Sequence, residues 1–191
     1  MIMKKWMMMA LMMLVAVAAQ AKDDKVTLTS GDGKAIIASD KTATLEFDYS
    51  STTTEGKPLQ EYLKGRGEDA VKDWPEIAKV ARQRFIETFN KKNKKGVKIV
   101  EGDDADLKIK ITVEKLDFGN AATAVVFGGF GSAGGAEITA KMAVTDAKTG
   151  AEVATYEIFE VRGTGTYDFS EGKRLGTCYE NAVKMIIKAS K

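Results

Sequence analysis

Few stretches of this chain carry the makings of a reactive or ligand-binding site. Gly129-Phe-Gly131-Ser-Ala-Gly134 has the literal spacing of a dinucleotide-binding loop. Such a loop needs a helix directly after it, because the helix N-terminus holds the pyrophosphate. Here Ala136 to Val144 alternates apolar and polar residues as a strand does, so the match implies no cofactor. Asp103, Asp104 and Asp106 cluster as calcium ligands do, yet they lack the EF-hand spacing and its terminal glutamate. A solvated turn is the expectation, and no metal site is assigned. Tyr156, Arg162, Tyr167 and Asp168 lie near one strand end and could move protons, although nothing in their spacing selects that role.

Two absences narrow the chemistry further. The chain has no histidine, which removes Ser-His-Asp and Cys-His catalysis, histidine zinc sites and histidine pH switches. Cys178 is the single cysteine, so no intramolecular disulfide can form. It falls on the apolar stripe Leu175, Cys178, Tyr179, Ala182, Val183, Ile186, Ile187, where a thiol is expected to be an inert small core group. Carboxylate, Ser-Lys or Tyr chemistry is what remains.

Hydrophobic periodicity places these residues on a small set of strands and helices. Leu107 to Val113 alternates strictly, and the phase then slips so that Leu116 and Phe118 face the core only across a bulge near Glu114-Lys115. Ala136 to Val144 and Val153 to Val161 form a hairpin closed by Asp146-Ala-Lys-Thr-Gly150. Upstream, Val26 to Ser30 and Lys34 to Ser39 flank Gly31-Asp32-Gly33 as a second hairpin, and Thr42 to Ser50 is a strand. Pro58 to Lys64 predicts a short helix. A longer one is expected from Asp73 or Trp74, with Asp73 and Glu76 as capping box and Pro75 in its first turn. It ends in the lysine run Lys91 to Lys95, read as a solvated helix end. Val97 to Val100 is a short strand, and the last helix begins near Asp168 and Glu171. The order predicts an α+β domain, a mostly antiparallel or mixed sheet with two principal helices on one face.

Lys4 and Lys5, the uncharged run Trp6 to Ala19 and Ala19-Gln-Ala21 have the form of a secretory leader cleaved after Ala21. The run is shorter than the ~20 residues of a membrane-spanning helix, and no cysteine near the cleavage site offers a lipid anchor. Residues 22–191 then form one extracytoplasmic domain without a transmembrane helix. Cleavage removes Lys4 and Lys5 and no acid, leaving 27 basic against 27 acidic residues. That balance gives no support to nucleic-acid binding.

From Phe118 to Ala136 there is no charged residue, yet Val125, Val126, Phe127 and Phe130 stand among Gly128, Gly129, Gly131, Gly134 and Gly135. An apolar loop of this kind is either covered by its own domain or a contact surface. The Gly-Phe-Gly-Ser-Ala-Gly run, the strand after it and Val144-Thr-Asp146-Ala-Lys-Thr-Gly150 resemble a domain of unknown function of small Gram-negative envelope proteins and lipoproteins. The wider topology is similar to the TolB N-terminal domain and curli-type secretion pores. The resemblance implies an envelope component without assigned catalytic residues. The expectation is a non-catalytic binding or assembly module that meets a protein partner, a second copy or a membrane surface. Val125, Val126, Phe127, Gly129, Phe130, Gly131 and Gly134 are its candidate contact residues. The alternative is a secreted carboxylate- or Ser/Lys-dependent hydrolase acting on envelope polymer.

Overall fold

Strict alternation from Leu107 gives the long strand β6 (Leu107–Asp117), on which the rest of the sheet is assembled. The computed structural model describes residues 25–102, 104–120, 134–163 and 170–191. Along the chain run β1 (Val26–Gly31), α1 (Lys34–Ile37), β2 (Thr42–Asp48), β3 (Thr53–Thr54), β4 (Lys57–Pro58), α2 (Leu59–Gly65), α3 (Glu68–Lys92) and β5 (Lys98–Ile99). After β6 come β7 (Glu137–Asp146), β8 (Glu152–Arg162) and α4 (Glu171–Ala189). Among the described residues the strands form one sheet in the order β1-β8-β7-β6-β2-β5, with β3 joined to β6 and β4 to β3. The β1-β8, β8-β7 and β7-β6 pairs are antiparallel, whereas β2 lies parallel to both β6 and β5. The fold is α+β with a mostly antiparallel, mixed sheet.

The bulge expected in β6 is present. Register shifts between Val113 and Lys115, so that Leu116 turns back opposite Ile138. Thr52 Oγ1 donates to the Val113 carbonyl at 2.6 Å and Thr53 Oγ1 to that of Glu114 at 3.2 Å, satisfying acceptors where the ladder breaks. A second bulge in β8, at the same level, places Glu160 at φ +46° and leaves Phe159 61% exposed on the opposite side from the core.

Ile109, Ile111 and Val113 of β6 share one buried face with Ile138, Ala140 and Met142 of β7 and with Tyr156 and Ile158 of β8. Ring contacts tie both long helices to this layer. Phe47 of β2 stacks on Tyr179 of α4 at 4.8 Å and meets Phe85 of α3 edge-on at 5.6 Å. The opposite face is polar. Lys110 bridges Asp48 at 2.9 Å and Glu46 at 3.5 Å, and Lys141 reaches Glu114 at 3.4 Å, exposed pairs that add little stability each.

Two expectations are corrected. Lys34 to Ile37 is a helical turn, so no hairpin folds on Gly31-Asp32-Gly33. β1 instead pairs with β8, because Gly31, at φ +81°, brings its backbone against Val153 and Ala154, and the Asp32 amide donates to the Val153 carbonyl. Asp32 Oδ1 then accepts the Lys34 amide and starts the turn. Helix α3 begins at Glu68, five residues before the expected cap, following Gly67 at φ +110°. Pro75 is therefore inside the helix. Its ring removes one donor, the amide that would have reached Val71 four residues earlier.

Candidate functional site

The residues on either side of the glycine-rich segment meet in a built neck. Gly119, at φ +68°, follows β6; its amide is accepted by Asp117 Oδ1 at 2.7 Å. The Asn120 amide donates to the Gly134 carbonyl at 3.2 Å, and Gly134 itself sits at φ +73°. A Cβ on Gly119 would come within 2.6 Å of the Gly135 carbonyl carbon, so the two chains touch backbone to backbone here. One residue on, the Gly163 amide donates to the Ala136 carbonyl at 2.8 Å, fixing the end of β8 to the same place.

Phe118, the last residue before the neck, is clamped from three elements. Its ring stacks on Tyr62 of α2 at 5.9 Å and meets Trp74 of α3 edge-on at 5.7 Å. The Arg66 guanidinium lies 5.8 Å from both the Phe118 and Tyr62 ring centres, a cation–π arrangement. Arg66 Nη2 also donates to Glu171 Oε1 at 2.7 Å, which raises the Arg66 pKa. From α4, the buried Arg174 donates through Nε to the Phe118 carbonyl at 3.0 Å and lies 3.9 Å from Glu171. The first turn of α4, together with Arg66 at the end of α2, thus holds Phe118 through two guanidinium groups and one carboxylate.

Of the seven candidate contact residues, Gly134 is placed, as one side of this neck. Val125, Val126, Phe127, Gly129, Phe130 and Gly131 lie outside the described residues, as do Tyr167, Asp168 and the leader. The other candidates do not converge. Tyr156 is buried with its hydroxyl 2.6 Å from Ser190 Oγ, whereas Arg162 turns outward to pair with Glu137. Asp106 closes a turn: its Oδ2 accepts the Thr42 amide and hydroxyl, and the amide bond first of all holds its carboxyl below the ordinary value. Asp103 is outside the described residues. Among those residues no three acidic or cysteine side chains gather in a way that could hold a metal ion.

Several groups are held in one protonation state by their surroundings. Burial raises the pKa of Cys178, Tyr179 and Tyr49, keeping all three protonated, and the two tyrosine hydroxyls bond to each other at 2.7 Å. Hydrogen bonds from Ser50 and then Lys110 hold the Asp48 carboxyl far below its ordinary value. Neither arrangement offers a base beside a nucleophile.

Two open clefts complete the description. One, of about 580 Å³, runs between α3 and the start of α4, with Asp69, Asp73 and Glu76 around Ile77 and the Arg66–Glu171 pair at its end. The other, of about 590 Å³, follows the edge of β2 past Arg82. The sequence reading missed Arg66, Glu171 and Arg174. A signal existed for one of them, since Arg174 stands four residues before Cys178 on the apolar stripe of α4, a place where a cation needs a partner.

Among the described residues no helix is long and apolar enough to cross a membrane. The family described as "Domain of unknown function (DUF4410)" matches residues 47–166, and the chain belongs to that family. No curated protein matches it. Solved structures similar to the chain include two PelC dodecamers from Paraburkholderia phytofirmans in different crystal forms, the second carrying a substitution. Each is 17% identical with a TM-score of 0.42, over 86% of this chain and 92% or 94% of the other.

Proposed function

We propose that this member of the DUF4410 family is an exported, non-catalytic module of the Gram-negative cell envelope, acting through protein–protein contacts made by its glycine-rich segment. The leader ending at Ala21 is removed on export, and the mature chain starts at Lys22. The observation that carries the reading is the neck. A connection serving only to join β6 to β7 could be a tight turn. This chain instead closes the hairpin at Gly119 and Gly134 by direct backbone approach, then anchors Phe118 with Arg66 and Arg174. The fourteen residues between, numbers 120–133, contain no charge and include Val125, Val126, Phe127 and Phe130. A rigid base under an apolar, small-residue segment suits contact with another protein surface.

Phe130→Asp tests this reading. At a contact site the substitution leaves the melting temperature within a degree or two and abolishes cross-links to the partner in intact cells. A core position behaves otherwise, because a buried unpaired carboxylate costs several kcal/mol. Unfolding of the variant would end the proposal.

A further inference from the structure

Both edges of the sheet carry backbone groups that the described chain does not pair with a strand. β5 covers only Thr42 and Ala43 of β2. On that side the Val100 amide donates to the Ala43 carbonyl at 2.9 Å, so alternation turns the amides and carbonyls of Leu45 and Phe47 the same way, away from β6. The Leu45 carbonyl is met by Arg82 Nη2 at 3.4 Å, a long bond from a half-exposed side chain. At the far edge, the Phe159 amide donates to the Lys25 carbonyl at 2.7 Å. Odd-numbered residues at the start of β1 therefore bond to β8, and Val26 and Leu28 turn their amides and carbonyls outward.

The two edges match in face, direction and hydrogen-bonding phase. Leu28 lies opposite Tyr156, Tyr156 opposite Met142, Met142 opposite Ile111 and Ile111 opposite Phe47. One apolar row thus crosses the sheet. Its inner members are buried, while its two ends, Leu28 and Phe47, are only partly covered. β8 runs in the same direction as β6 and β2, and β1 runs against it. Two copies placed side by side in one orientation therefore bring Leu28 of the first against Phe47 of the second, antiparallel, with their free amides and carbonyls facing each other. Thr27 then stands opposite Asp48, without a like-charge clash. Pairing β2 with β2 about Glu46 would instead set acid against acid.

We infer that the β1 edge of one copy adds to the β2 edge of a second copy, head to tail, so that the sheet continues across protomers. Arg82 gives up the Leu45 carbonyl to the incoming strand, and the ends of the apolar row are covered. Such a contact is heterologous and repeats from copy to copy. It uses no residue of the glycine-rich segment, so it stands or falls apart from that segment's role.

Cysteine pairing tests it on the whole protein. Thr27→Cys and Asp48→Cys copies are mixed with copper–phenanthroline as oxidant and resolved on a non-reducing gel; Cys178, buried, does not compete. The inference expects a mixed dimer several-fold above either variant alone, a ladder of covalent multimers from the double variant, and the same result in a Phe130→Asp background. No excess in the mixture, or self-linking of either variant to the same extent, would overturn it. A second variant keeps the test independent of the cysteines. Arg82→Ala uncovers the Leu45 carbonyl and should raise self-association in sedimentation, and unchanged or weaker association would count against the inference.

Discussion

Replacing Gly119 by alanine is the sharpest perturbation of the neck. Gly119 holds φ +68°, and Gly150, in the β7–β8 turn, holds φ +72°. Their backbones ask the same of a side chain, roughly 1–2 kcal/mol for a left-handed alanine. Both also gain alike from a less flexible unfolded chain, so that contribution cancels in a comparison. Their surroundings differ. Nothing lies within 4 Å of a Cβ built on Gly150, whereas one on Gly119 would meet the Gly135 carbonyl carbon at 2.6 Å. The obstacle is backbone, which cannot rotate aside as a flexible side chain does, so the strands must part. Gly119→Ala should therefore cost at least about 2 kcal/mol more than Gly150→Ala, in the range of other local backbone disruptions. Urea unfolding followed by tryptophan fluorescence reads it well, because Trp74 packs edge-on against Phe118 at 5.7 Å. Equal losses in the two variants would refute the close approach, and with it the claim that the segment has a built base.

Other outcomes are as definite. Tyr49→Phe and Tyr179→Phe should each cost about 1–2 kcal/mol by stranding the partner hydroxyl in the core, and the double variant should cost less than their sum; additive losses in thermal melts would contradict the pairing. Asp48 should remain ionised at pH 3 in a carbon-detected carboxyl titration, since Ser50 and Lys110 favour its charged form. Its folded value lies below the unfolded one, so its contribution to stability is present above the ordinary aspartate value of ~3.9 and is lost as pH falls through the depressed one. An Asp48→Asn variant should lose that part of the acid dependence. Cys178 should resist maleimide in the native protein and react at once in denaturant, because burial both hides the thiol and raises its pKa.

Much of the fold was legible because it rests on period. Strict alternation marked β6, and its phase slip placed the bulge near Glu114-Lys115, where the register shifts. The 3.6-residue stripe from Leu175 to Ile187 marked α4 and sent Cys178 inward. Where the reading failed, long-range contacts decided. Gly31-Asp32-Gly33 has the composition of a hairpin turn, but the partner of β1 is a strand more than a hundred residues away, which no local pattern reveals. Pro75 reads as a helix start, yet one lost amide is tolerated once Trp74 and Ala81 on either side of it are buried. The candidate site divides in the same way. The glycines and apolar residues of the segment stand out by composition, whereas the clamp of Arg66, Glu171 and Arg174 joins residues of α4 and the α2–α3 junction that only the fold brings together.

In the proposed role the glycine-rich segment meets another protein. A photoreactive amino acid at position 130, activated in intact cells, tests it directly. Mass spectrometry of the products should find the segment joined to a second polypeptide, with that product lost when a photoreactive residue is placed instead at the buried Ile111. Products confined to the chain's own helices would show the segment folded onto its domain and rule out a contact role.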